Sequence, residues 1–245
     1  MRNFKITVQY DGAKYNGWQR QGNTKNTIQE RFENVLFKMC GCPVEIFASG
    51  RTDAGVHAEA QVANFKCDTE MDCNEVQSYL NKYLPTDIRI LKTEEADSRF
   101  HSRLNAVSKT YVYKIAYEKP DVFSRKYVFA ADKKPDIAKM QSAAEKILGR
   151  RDFKGFSSVG RTKKSTVRTI NFIEILDESG VVSIRINGNG FLYNMVRIIS
   201  GTLYEIGIGK LDVSVICEVI ETQNRELAGV TLPAQGLVLE EVFYQ

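Results

Sequence analysis

The stretch Val44–Lys66, VEIFASGRTDAGVHAEAQVANFK, decides how this chain is organised. Two short apolar runs, Val44–Ser49 and Gln61–Lys66, flank a polar segment bounded by turn formers, and runs of that kind are strands. The segment between them carries Arg51, Thr52, Asp53 and His57 in and beside a pair of glycines, Gly50 and Gly55. Glycines there let the backbone turn tightly and approach another group closely. Upstream, Phe4–Tyr10 alternates as a strand. Thr27–Cys40 has helical periodicity, with Ile28, Phe32, Val35, Leu36 and Met39 on one stripe and Thr27 and Glu30 spaced as a capping box. Downstream, Glu75–Leu84 is a helix stopped before Pro85, and Asp87–Lys92 returns to strand. The order is β-α-β-β-α-β.

The remainder repeats it. Thr110–Tyr117 alternates as a strand, and Ile137–Leu148 is a helix ended by Gly149. Thr169–Leu176 and Val181–Asn187 form a hairpin through Asp177–Gly180. Phe191–Ile206 and Leu211–Thr222 are helical, and Leu237–Phe243 is a closing strand. The expected fold is α+β: two similar halves, 1–105 and 106–245, forming a largely antiparallel mixed sheet with helices on one side. An active-site cleft is expected at the centre, because ligands favour clefts between halves. Asp11–Asn26 and Lys154–Thr166 are long polar loops, which a compact core retains when they are used.

Apolar residues at 43% and charged residues at 26% are the balance of a water-soluble globular protein. No apolar run approaches the roughly 20 residues that span a bilayer, and the N-terminal residues enter a strand pattern without a signal-peptide core. A cytoplasmic location is expected. Five cysteines, Cys40, Cys42, Cys67, Cys73 and Cys217, are an odd set that suits reduced thiols. With two histidines in the chain, Cys40 and Cys42 lack the partners of a zinc site, so no metal is expected. Net charge is +4, but its distribution is uneven. Lys146, Arg150, Arg151, Lys154, Arg161, Lys163, Lys164 and Arg168 face one nearby acid, Asp152, whereas Glu205–Gln245 holds seven acids and two bases. Concentrated positive charge suits a phosphate-contacting surface. It equally suits a solvated loop and helix end, and charge alone leaves both open.

The loop chemistry is similarly two-sided. Asp53 is the loop's carboxylate and fits either a reacting group or an Asx turn that caps local N–H groups. Arg197 is the lone cation of a helix that is otherwise apolar but for Asn194, Ser200, Thr202 and Glu205, so it must meet a carboxylate or phosphate or reach water. Tyr111 and Tyr113 share a face of one strand, and the pattern cannot choose between them. Gly207-Ile208-Gly209-Lys210 is not a phosphate-binding loop, since Tyr204 and Leu211 stand where that motif needs glycine and a hydroxyl. No dinucleotide fingerprint occurs either.

Gly50-Arg51-Thr52-Asp53-Ala54-Gly55-Val56-His57-Ala58 resembles the catalytic loop of the tRNA pseudouridine synthase A family. Tyr10-Asp11-Gly12, Gly17-Trp18-Gln19 and Thr27-Ile28-Gln29 resemble its N-terminal signature. Leu84-Pro85-Thr86-Asp87-Ile88, Phe100-His101-Ser102-Arg103 and Lys109-Thr110-Tyr111-Val112-Tyr113 continue the likeness. So do Asp152-Phe153 with Phe156, Gly190-Phe191-Leu192, Met195-Val196-Arg197, Gly201-Thr202-Leu203 and Pro233-Ala234 with Gly236-Leu237. The likeness runs end to end. Ser49, Ile28 and Leu232 depart from the family's pattern, and none is a reacting group.

The resemblance implies an isomerase that breaks the C1′–N1 bond of uridine, turns the base and rejoins it through C5. Such a reaction needs no cofactor. It implies Asp53 as the catalytic carboxylate, acting by covalent addition or by removing a ribose proton, both routes being open. Either needs an ionised Asp53, which a nearby guanidinium favours by about 1–3 pKa units. Arg197 is the implied guanidinium, with a salt bridge to another acid as the alternative. Tyr111 is the implied stacking aromatic. Arg51 and His57 are implied RNA contacts, helping to hold open a flipped nucleotide, with backbone hydrogen bonding as the alternative for His57. Lys154, Arg161, Lys163, Lys164 and Arg168 would grip the RNA backbone. The family's substrates are uridines at positions 38, 39 and 40 of the tRNA anticodon arm, and its members are homodimers. Two further readings stand beside this: the same chemistry on another structured RNA such as rRNA, and an RNA-binding module without catalysis.

Overall fold

In the computed structural model, which describes residues 1–160 and 163–245, the alternation of the first strand sets the first layer of core. β1 (Arg2–Tyr10) turns Phe4, Ile6, Val8 and Tyr10 inward, all of them buried. α1 (Ile28–Cys40) follows; Thr27 caps it by accepting a hydrogen bond from the Glu30 N–H at 3.3 Å, and Gly41 closes it in the left-handed conformation. Ile28, Phe32, Val35 and Leu36 form its buried stripe. Next come β2 (Ile46–Ala48), β3 (His57–Cys67), α2 (Cys73–Tyr83) and β4 (Ile88–Ala96). The reciprocal capping box sits at the start of α2, between Asp72 and Glu75. β1 pairs antiparallel with β3 and with β4, and β2 pairs antiparallel with β3.

β3 begins at His57, four residues before the expected Gln61. The reason is tertiary. The closing strand, Leu237–Tyr244, runs parallel to β3 with Val238 opposite His57 and Leu239 opposite Ala58, while Tyr10 of β1 pairs with Ala58. The chain accordingly divides into one unit of Met1–Val107 with Val238–Gln245 and a second of Ser108–Leu237. The closing strand, counted with the C-terminal half from the sequence, lies in the first unit.

The second unit is built on β5 (Ala106–Ala116), β6 (Phe129–Ala130), α3 (Ile137–Ile147), β7 (Gly149–Asp152), β8 (Val167–Glu178) and β9 (Val181–Gly188). β5, β9, β8 and β7 pair antiparallel in that order, and β6 adds parallel to β5. The β8–β9 hairpin turns at Ser179 and Gly180, both at positive φ (50° and 79°), as a two-residue hairpin that follows strand twist requires.

α4 (Met195–Gly207) and α5 (Val215–Thr222) complete the unit, and Leu237–Tyr244 is β10. α4 starts four residues later than the apolar run Phe191–Ile206 predicts. Asn194 stands at φ 60°, which ends helical geometry, and Phe191 instead sets its ring edge-on to Tyr111. α5 likewise starts at Val215 rather than Leu211, behind a turn in which Asp212 accepts from the Ser214 N–H at 2.8 Å. Among the described residues there are ten strands and five α-helices in a mixed, largely antiparallel α+β chain, and no helix is long and apolar enough to cross a membrane.

Candidate active site

Within the first unit, the loop between β2 and β3 is held by main-chain contacts and by side-chain hydrogen bonds, among them Gln61 Nε2 to Gly50 O at 3.0 Å. The Trp18 N–H donates to Thr52 O at 3.0 Å and the Gly55 N–H to Tyr15 O at 3.3 Å. The Val56 N–H closes a turn onto Asp53 O at 3.1 Å. Tyr10 and Thr52 join hydroxyls at 2.8 Å beneath the loop. Two glycines permit the approach. A Cβ on Gly12 would lie 1.9 Å from Val56 O, and one on Gly17, at φ 87°, would lie 2.6 Å from Thr52 O. Asp53 is therefore carried on a rigid backbone, half-buried at its tip. Preorganisation of this kind is what a reacting group needs.

Arg51 is exposed, yet directed. Its Nε donates to Gln19 Oε1 at 3.1 Å, Gln19 Nε2 donates to Gln29 Oε1 at 2.8 Å, and Gln29 Nε2 donates to Glu33 Oε1 at 2.8 Å. A relay of amides thus aims the guanidinium from α1. His57 has a different place. It is buried, accepts from the Gly12 N–H through Nδ1 at 3.1 Å, and lies 3.0 Å from Asp11 Oδ1. It ties the Asp11–Gly12 turn to the base of the loop, and a direct grip on phosphate does not go with its burial. Tyr10, Gly12, Gly17, Gln19 and Gln29 were not singled out from the sequence as individual site residues. They lay within recognised motifs, but nothing in their local pattern said that the motifs brace one loop.

In the second unit, Tyr111 and Tyr113 part company. Tyr113 is fully buried, its hydroxyl donates to Pro233 O at 2.7 Å, and its ring fills the space a side chain at Gly236 would need. Burial raises its pKa well above the ordinary tyrosine value. It is a core residue. Tyr111 is 8% exposed and packs edge-on against Phe191, with centroids 5.2 Å apart.

A family model described as tRNA pseudouridine synthase matches residues 6–105 and 143–245. The chain belongs to the tRNA pseudouridine synthase family. Among its relatives, a tRNA pseudouridine synthase A 2 of Bacillus cereus is 47% identical over 243 residues, 99% of each chain. A tRNA pseudouridine synthase A of a Bacillus species is 46% identical over 247 residues, and one of Clostridium kluyveri is 42% identical over 245; both cover all of each chain.

The arginine of this synthase's α4 is set by the chain that crosses the helix. Gly201 lets residue Val230 approach so closely that a Cβ would lie 2.0 Å from Val230 O. Thr202 Oγ1 accepts from the Gly229 N–H at 2.9 Å, and the buried carboxylate of Glu205 accepts from the Val230 N–H at 3.1 Å and from Lys210. The strap so pinned presents Leu232 O, which accepts from Arg197 Nε at 2.6 Å; Asn194 Oδ1 takes Nη1 at 2.8 Å. Two of the guanidinium's five N–H groups thus fix its plane.

Of the basic set, Lys154, Lys163 and Lys164 are exposed. Lys154 opens a 3-10 turn whose neighbours Phe153 and Phe156 are fully buried anchors. Arg168 is half-buried and donates through Nη1 to Ser165 O and Val167 O, at 3.0 and 2.7 Å. Arg161 lies outside the described residues.

Proposed function

We propose that this chain isomerises uridine to pseudouridine at positions 38, 39 and 40 in the anticodon stem and loop of tRNA. Asp53 is the catalytic carboxylate. The C1′–N1 bond breaks, the uracil turns, C1′ bonds to C5, and the proton lost from C5 is balanced by one gained at N1. The reaction needs an ionised Asp53, and Arg197 is the cation proposed to favour that form. Tyr111 offers a ring face to the base and a hydroxyl for the C5 proton. Arg51 holds the gap left by the extruded nucleotide, whose unstacking costs a few kcal/mol. Lys154, Arg161, Lys163, Lys164 and Arg168 contact phosphates by charge and shape. The protein works in the cytoplasm as a homodimer, which doubles its basic surface by symmetry.

The observation that carries this proposal is the backbone-clamped Asp53 loop in a chain whose relatives bear the name tRNA pseudouridine synthase A. Site-resolved pseudouridine mapping on unmodified tRNA transcripts tests it. Wild-type protein is expected to mark the anticodon arm, and Asp53→Asn to bind tRNA without marking it. Tight binding with no mark on any tRNA from the wild type would move the substrate to another RNA.

A further inference from the structure

A cavity of about 380 Å³ opens in the first unit beside Gly50 and Arg51 of the aspartate loop. Its volume falls within the roughly 300–1,000 Å³ of small-ligand sites. Phe47 and His101 form one wall, their rings 4.9 Å apart and inclined by 42°. Leu104, 78% exposed, and Arg103 stand at the rim, with Arg51 on the loop side. Glu45 is the one carboxylate among the lining residues, set against two arginines.

The wall is built and not incidental. Ser102, between His101 and Arg103, is fully buried and held three ways. Its N–H donates to Asn64 Oδ1 at 2.8 Å, its carbonyl accepts from the Tyr244 hydroxyl at 2.7 Å, and its hydroxyl donates to Phe47 O. The last bond ties the segment directly to β2. His101 is fixed in turn, its Nδ1 accepting from the Arg103 N–H at 3.1 Å. The fold therefore spends interior hydrogen bonds to hold two rings, an exposed leucine and an exposed arginine at the edge of a cavity. Flat aromatic faces beside guanidinium groups are how proteins hold an unpaired nucleotide, the base by stacking and the backbone by charge.

We propose that this cavity seats one unpaired RNA nucleotide adjacent to the target uridine. Its base lies against Phe47 and His101, and its phosphate lies between Arg51 and Arg103. The inference rests on the proposed action on tRNA. It makes Phe47 and Arg103 substrate-positioning residues, with the neighbouring nucleotide drawn out of the stack together with the target.

The test uses the full chain, unmodified tRNA transcripts, and Phe47→Ala and Arg103→Gln, each first checked for the parental melting temperature. Each variant is expected to raise Kd and KM for tRNA about tenfold, the size of a lost base stack or charged contact, with kcat nearly unchanged. Arg103→Gln alone should reduce the dependence of log Kd on log salt, by about one phosphate contact. On tRNAs made abasic at one nucleotide beside the target, Phe47→Ala should cost nothing further at one of the two positions. Parental Kd in both folded variants, or a full Phe47→Ala loss on both abasic tRNAs, overturns the inference. So does weakened binding of free uridine monophosphate with tRNA affinity intact. A wild-type protein that binds tRNA and forms no pseudouridine instead defeats the proposed function, while the Kd comparison still decides the cavity's role.

Discussion

At the scale of single residues, chemistry here depends on which polar atoms are committed to the interior. Tyr111 and Tyr113 are indistinguishable by strand periodicity, but Tyr113 commits its hydroxyl to Pro233 O, whereas Tyr111 sets its ring edge-on to Phe191. Tyr113→Phe should leave a buried carbonyl without its donor and lower unfolding free energy by about 1–3 kcal/mol in urea titrations, with turnover on tRNA retained. Tyr111→Phe should instead be read in turnover, with kcat lowered by roughly 100-fold or more if its hydroxyl moves the C5 proton as proposed. Equal kcat in the two variants would remove the distinction. His57 carries the same lesson. An imidazole beside the aspartate loop reads as a ligand contact, but the closing strand pairs at its backbone and it is buried.

At the scale of elements, the loop is positioned by close backbone approach, so glycine is the sensitive residue. Gly17→Ala places a methyl group 2.6 Å from Thr52 O at a φ that L-residues rarely adopt. It should cost a few kcal/mol of stability and depress pseudouridine formation with it. Gly22→Ala, in the same connection with nothing within 4 Å, serves as the control and should leave both unchanged. If Gly17→Ala matches Gly22→Ala in melting and activity, the loop is not held as described. Helix limits show the same dependence on contact. The hydrophobic stripe and cap of α1 were legible because both are local. The start of α4 was not, because Asn194 and Phe191 take conformations set by packing rather than by the apolar run.

At the scale of the whole molecule, the buried tyrosines predict alkaline lability. Burial pushes Tyr10 up to about 12, and it raises Tyr15, Tyr113 and Tyr244 as well. Raised folded-state values mean that the unfolded chain loses its tyrosine protons first. The stabilisation is complete below about pH 10 and is lost as pH climbs through the folded values. For Tyr10 alone this is about 2–3 kcal/mol at most. Urea midpoints should hold steady up to about pH 10 and then fall steeply, and Tyr10→Phe should flatten part of that fall. An unaltered slope in Tyr10→Phe would show that its hydroxyl is not withheld from solvent.

Eight of the ten strands among the described residues, the cap of α1, the hairpin turn and the aspartate loop were legible in the sequence, because periodicity, caps and turn residues act over a few positions at a time; the short β6 and β7 were not. Tertiary structure alone decided that β10 leaves the last half of the chain to lie beside β3. It decided too that Tyr10, Gly12 and Gly17 clamp the Asp53 loop, and that Gln19 and Gln29 aim Arg51. Those choices depend on which strand edge remains open and which backbones can touch. Such facts exist only once distant segments have met.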